Sequence, residues 1–408
     1  MFSTNERISL ITSIFSDPDE VKVLEHLSGN DAQAFVEVID ELLDKLPQQI
    51  YKDCLRYLYK TCGRHIILPK SLAIPLCYNP MEIPQTHGGF ADVWKGQYNG
   101  REVAAKALRV SLTSNFDRIR RRFCKEVVAW KALRHPNVLP LIGVTMTERQ
   151  FVMVSEWMKN GNINTFVKAH TDVNRLELLR DVTAGLVYMH DQGVVHGDLK
   201  GANILINSDG HACIADFSLL MVISDQQTFL ATCIAGGTIP WMSPELLDPQ
   251  SFGLEKCRPT KESDRYALGM VIYEILSGRV PFEPPMASVL RIVLGERPER
   301  PQGAQGAWFT DSIWGMLELC WKPRPNERPS LNKVLRCLQN AMQLPKPYWS
   351  GDVETAADGQ LGVTTASSSS ASIACHGQLP DPPQTGNLRE ERIVDQLARR
   401  ARKFFKLR

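Results

Sequence analysis

The sequence predicts an α+β fold, with strands gathered early and helices late in the chain. The strands are announced by a hairpin. Phe90 to Gln97 and Val103 to Lys106 read as two strands joined across Asn99-Gly100, a dipeptide suited to the left-handed conformations of a tight turn. The helices are announced by long apolar-periodic runs at Leu176 to Gln192, Ser263 to Ser277, Trp308 to Trp321 and Ser330 to Gln343.

Ahead of the hairpin, residues 19–64 also read as helical. Asp31 caps a run whose apolar positions Phe35, Val36, Ile39, Leu42, Leu43 and Leu46 recur at helical spacing. Ile50, Cys54, Leu55, Leu58 and Cys62 continue the pattern on a second helix, and Leu68 to Leu72 breaks it. An amphipathic helix buries its stripe somewhere, so this block is expected to pack on the domain that follows. A regulatory or partner-binding hairpin is the alternative.

The chemistry is concentrated in His196-Gly197-Asp198-Leu199-Lys200-Gly201-Ala202-Asn203, with Asp216-Phe217 thirteen residues beyond Asn203. Asp198 can accept a proton from a hydroxyl. Asn203 and Asp216 offer hard oxygen atoms to Mg²⁺. Lys200 can face the γ-phosphate of a nucleotide. Phosphoryl transfer needs little more than an aligned nucleophile and neutralised phosphate charge, and these residue types supply both.

These residues resemble the eukaryotic protein kinases. The sequence is similar to the tyrosine-kinase-like serine/threonine group, and close in look to its fungal members, over about two thirds of the chain. Cys320-Trp321 and Arg328-Pro329-Ser330 add to the likeness. The resemblance implies a two-lobed protein-kinase fold, a small antiparallel sheet lobe plus a larger helical lobe, with an N-terminal helical appendage. It implies ATP and Mg²⁺ as cofactors and a protein Ser/Thr hydroxyl as acceptor. Lys200, two residues after Asp198, favours Ser/Thr, with dual specificity toward tyrosine left open. The implied domains are an N-terminal helical region (1–77), a kinase domain (78–344), a disordered linker (345–387) and a basic amphipathic tail helix (388–408).

By the same resemblance Lys106 grips phosphates and pairs with Glu126, on a helix over Arg118 to Leu133. Thr86, Gly88, Gly89 and Ala91 stand in the glycine-rich loop, where Thr86 and Ala91 replace two of the glycines. Phe151 to Met158 is the strand and hinge that receive adenine. Ser155 guards the rear pocket, Glu156 and Met158 offer backbone contacts, Val93 and Ala104 form the roof and Leu205 the floor. Asp216 to Glu245 is the activation segment, Glu245 pairs with Arg328, and Asp264 braces the catalytic loop. There are two departures. Ser218 replaces a glycine after Asp216-Phe217, and Gly197 replaces the arginine that binds an activation-segment phosphate, so that phosphorylation is not expected to be required. The rival reading is a pseudokinase, an ATP-binding scaffold.

Composition narrows the rest. The formal net charge of +2 on 408 residues gives no bulk attraction to nucleic acid. No apolar run is long enough to cross a membrane, and the N-terminus lacks a secretory pattern. The ten cysteines include no Cys-x-x-Cys pair, as expected of reduced, mostly buried thiols in a cytoplasmic protein. Residues 345–387 are rich in Ser, Pro, Gly and Gln. In the final stretch Ile393, Leu397, Ala401, Phe404 and Phe405 recur at helical spacing among basic residues. Such a helix suits an anionic membrane, a protein partner or nuclear import.

Overall fold

The computed structural model describes residues 3–343, apart from 76, 88–90, 111–114, 149, 218–232, 235, 256–257 and 283–287. The expectations for 345–387, 388–408, Gly88, Gly89 and Ser218 lie outside the described residues.

Four helices open the chain: α1 (Thr4–Ser16), α2 (Pro18–Leu24), α3 (Gly29–Leu42) and α4 (Gln48–His65). Ser3 and Glu6 form a reciprocal capping box on α1. Ser28, not Asp31, is the N-cap of α3, and Asp31 sits in its first turn, where a carboxylate complements the helix dipole. Tyr57 on α4 centres the block, edge-on to Phe15 at 5.9 Å and to Phe35 at 5.4 Å.

A five-stranded antiparallel sheet follows, in the order β1-β2-β3-β5-β4: β1 (Thr86–His87), β2 (Ala91–Tyr98), β3 (Arg101–Leu108), β4 (Leu141–Met146) and β5 (Phe151–Glu156). Asn99 and Gly100 both take positive φ, 50° and 72°, so Tyr98 and Arg101 pair directly across the turn. Alternation sends Val103, Ala105, Val152 and Val154 to one face, with Ile74 and Tyr78. Phe151 and Met153 join the main core on the other face, beneath α5 (Phe116–Lys131).

α5 is clasped by the N-terminal block. Lys131, at its last turn, meets the buried Asp40 at 2.5 Å, and the Ser71 hydroxyl donates to the other Asp40 oxygen at 2.6 Å. Lys125 lies over the Tyr59 ring at 5.3 Å. Gly63 allows α4 to come this close, because a Cβ there would sit 2.4 Å from Lys125 Cε.

The second lobe is helical: α6 (Ile163–Ala169), α7 (Arg175–Asp191), the hairpin β6 (Ile204–Ile206) and β7 (Ala212–Ile214), then α8 (Pro244–Leu247), α9 (Lys261–Ser277), α10 (Ser288–Val293), α11 (Gly303–Gly306), α12 (Asp311–Cys320) and α13 (Leu331–Met342). α9 is buried nearly all round, and its start is fixed by a capping box between Thr260 and Ser263. Glu245 at the start of α8 and Arg328 before α13 form a bidentate pair, both contacts 2.6 Å, with the arginine side chain fully buried.

Candidate active site

The catalytic-loop motif lies between α7 and β6, held from below by α9. Asp264 accepts from the backbone N–H of His196 at 2.8 Å and of Gly197 at 2.9 Å, and meets His190 Nε2 at 2.8 Å. Gly197 has φ 79°. A side chain in that left-handed conformation would cost roughly 1–2 kcal/mol, so glycine here relieves strain.

His196 is buried, and its two ring nitrogens have distinct partners. Nε2 faces the Ala215 carbonyl at 3.0 Å, so it carries the proton, and Nδ1 accepts from the Asp198 N–H at 3.1 Å. Burial lowers the imidazole pKa, outweighing the carboxylates of Asp264 and Asp198, in keeping with this neutral ring. The histidine thus ties the Asp198 backbone to the residue preceding Asp216.

Three side chains gather at the Asp198 carboxylate, which is buried. The Thr238 hydroxyl donates to Oδ1 at 2.8 Å. Asn203 Nδ2 donates to Oδ2 at 2.9 Å and to the Asp198 carbonyl at 2.7 Å. Lys200 Nζ lies 3.2 Å from Oδ2 and donates to the Thr238 hydroxyl at 2.9 Å. Asn203 spends its N–H groups on Asp198, so its carbonyl oxygen is the atom it can offer a cation.

Asp216 follows β7 with φ 63°, and Asn203 O accepts from Ala215 N at 2.9 Å, setting the two oxygen donors beside each other along the chain path. Phe217 turns inward, 5.3 Å from Trp130 of α5 and 6.3 Å from His196. A hard-oxygen pair, Asn203 Oδ1 and the Asp216 carboxylate, is the donor set that suits Mg²⁺.

Lys106 corrects one expectation. Among the described residues its ion pair is with Asp216 Oδ2, at 2.5 Å, and not with Glu126. Glu126 lies on α5, half-buried, and lines a cavity shared with Lys52, Arg56 and Tyr59 of α4.

The residues assigned to adenine fall on adjoining strands. Thr86 pairs with Val93, Val93 with Lys106, and Ala104 with Ser155, so Val93, Ala104 and Ser155 lie across neighbouring strands at one end of the sheet. Ala91 is buried at the start of β2, and Glu156 is exposed at the end of β5. The connection after β5 carries Met158 and is tied to the second lobe: Ile206 N donates to the Gly161 carbonyl at 2.9 Å, beside Leu205 of β6. Gly88 and Gly89 lie outside the described residues.

Two contributors escaped sequence reasoning. One is Thr238, which lies in the activation segment but was given no role there. The other is Glu274, on α9. Its carboxylate accepts from Asn164 Nδ2 at 2.7 Å, the Gly201 N–H at 3.0 Å and Trp241 Nε1 at 2.8 Å, joining α6, the catalytic loop and the segment before Glu245. Burial raises its pKa above 4.5, against the lowering effect of those donors. The folded state therefore binds a proton at Glu274 more tightly than the unfolded chain does. This contribution to stability is complete below the unfolded value and is lost as pH rises through the folded one. In Glu274→Gln, the amide oxygen can face Gly201 and Trp241 while the amide nitrogen donates to a flipped Asn164. The unfolding free energy of this variant is expected to gain on wild type as pH rises above the ordinary carboxylate range, as measured by urea denaturation at a series of pH values.

A family model for protein tyrosine and serine/threonine kinases matches residues 84–338. The chain belongs to that family. Among its relatives, a serine/threonine-protein kinase of Arabidopsis thaliana is 27% identical over 263 residues, covering 63% of this chain and 43% of the relative. A serine/threonine/tyrosine-protein kinase of the same plant is 26% identical over 262 residues, 62% of this chain and 63% of the relative. A probable serine/threonine-protein kinase of Dictyostelium discoideum is 27% identical over 289 residues, 67% of this chain and 20% of the relative. The chain thus spans less than two thirds of the length of each of these proteins. Its antiparallel sheet lobe and helical lobe are those of the family fold.

Proposed function

We propose that this chain is an ATP-dependent protein kinase that phosphorylates Ser and Thr hydroxyls in an intracellular signalling role. The observation that carries the reading is the set of groups gathered on Asp198: a buried carboxylate oriented by Thr238 and Asn203, with the Lys200 cation beside it. Asp198 would align the acceptor hydroxyl and take its proton. The hydroxyl oxygen forms its bond to the γ-phosphorus as the bond to the bridging oxygen breaks, and that oxygen leaves with ADP. Lys200 would balance charge on the transferred group. Lys106 would hold the nucleotide phosphates. Mg²⁺, when bound, neutralises phosphate charge, and Asn203 and Asp216 would be the residues to hold it.

Gly197 and the group assignment belong to the same reading. With no guanidinium at position 197, the charge-paired ordering of a phosphorylated activation segment has no partner there, so activity should not depend on that modification. Cys320-Trp321 and Lys200 support assignment to the tyrosine-kinase-like serine/threonine group, close to fungal members. Phosphoamino-acid analysis of a generic protein substrate after incubation with labelled ATP and Mg²⁺ tests the acceptor. Phosphoserine and phosphothreonine are expected, and phosphotyrosine as the main product would overturn the Ser/Thr assignment.

A further inference from the structure

We propose that Ser243 binds a buried water molecule that bridges its hydroxyl to Asp264, the residue that holds the catalytic loop.

A serine just before a helix usually turns its hydroxyl onto the N–H groups of the first turn. Ser243 stands at that position before α8, with the extended backbone of a cap (φ −76°, ψ 151°), yet its side chain makes no capping hydrogen bond. The residue is fully buried, and among the described residues no group bonds its hydroxyl. A buried hydroxyl is costly to leave unpaired, so a partner is called for.

A small cavity beside Ser243 offers the place for one. Its walls come from the segment 238–246 (Thr238, Ser243, Leu246), the catalytic loop (Gly197, Asp198) and α9 (Asp264). Its volume is about 10 Å³, which is room for one water molecule and nothing larger. Cavities that stay dry are apolar, whereas this one is walled by hydroxyl and carboxylate side chains. A bound water also needs a second polar partner, and two carboxylates are at hand. Asp198 is already engaged at both oxygens, Oδ1 by the Thr238 hydroxyl and Oδ2 by Asn203 and Lys200. Asp264 is less so. Its Oδ2 takes the His196 N–H and meets His190, while Oδ1 takes a single N–H, from Gly197, and keeps a lone pair to offer. The water accepts from the Ser243 hydroxyl and donates to Asp264 Oδ1. It thereby ties the segment that carries Thr238, and with it the contact to Asp198, to the residue that holds the loop from α9.

The test is a crystal structure of the full chain that shows ordered water, together with thermal unfolding of two variants. One water is expected within about 3.2 Å of both Ser243 Oγ and Asp264 Oδ1. Ser243→Ala is expected to lower the melting temperature by roughly 2–5 °C, because the bridge to Asp264 is lost. Ser243→Cys, which crowds the water with a larger and weakly bonding side chain, is expected to lower it as well. A dry cavity predicts the opposite sign: alanine would remove an unpaired hydroxyl and cysteine would fill a void, so both variants would hold or gain stability. Density without a water at this point overturns the proposal, as does a melting temperature that is unchanged or raised in either variant.

Discussion

Arg328→Ala is expected to lower the melting temperature by roughly 6–20 °C, reflecting about 3–5 kcal/mol lost when one partner of a buried ion pair is removed. Arg328 is bidentate to Glu245, and its remaining N–H groups donate to the carbonyls of Lys322, Glu262 and Pro323. Its guanidinium also lies 5.2 Å from the Tyr266 ring. Truncation strands the Glu245 carboxylate and those carbonyls in a dry interior. The loss is a large share of a typical domain stability of about 5–15 kcal/mol. Many buried ion pairs can be exchanged for apolar residues at little cost. This one should not be: an Arg328→Met, Glu245→Leu double variant still leaves the carbonyls unpaired and is expected to recover less than half of the loss. Thermal unfolding of the three proteins decides it, and full recovery in the double variant would show that the pair alone matters.

Asp198→Asn is expected to reduce phosphate transfer by about 10²–10⁴-fold, the usual worth of a positioned base. The fold should tolerate it. An amide nitrogen turned toward Thr238 meets a hydroxyl that can accept, while the amide oxygen continues to accept from Asn203 and Lys200. Nucleotide affinity should therefore change little. A parallel collapse of ATP affinity would mean that the residue shapes the site instead of acting as base.

The strand hairpin was legible because Asn99-Gly100 supplies two left-handed residues at its apex, a local requirement visible in any window of the chain. The catalytic loop was legible for a similar reason: Asp198, Lys200 and Asn203 lie within one short segment, and β6–β7 returns the chain to Asp216. α1 was missed even though Ser3 and Glu6 spell its capping box. Its apolar stripe is weak, and it is stabilised by packing on α3 and α4, which periodicity does not report. α12 begins at Asp311, not Trp308, because Thr310 supplies the cap. The partner of Lys106 was misjudged for a tertiary reason. Which carboxylate reaches it depends on how α5 is seated, and α5 is seated by Asp40, Tyr59 and Gly63, far away in sequence. Glu274 is likewise invisible locally, since its three donors come from three separate segments.

The most direct test of the account is phosphate transfer from γ-labelled ATP with Mg²⁺, to the chain itself and to a generic protein substrate, beside Asp198→Asn. The account predicts incorporation by wild type that falls at least about a hundredfold in the variant. No incorporation by wild type, with ATP still raising its melting temperature, would contradict it and leave a nucleotide-binding scaffold.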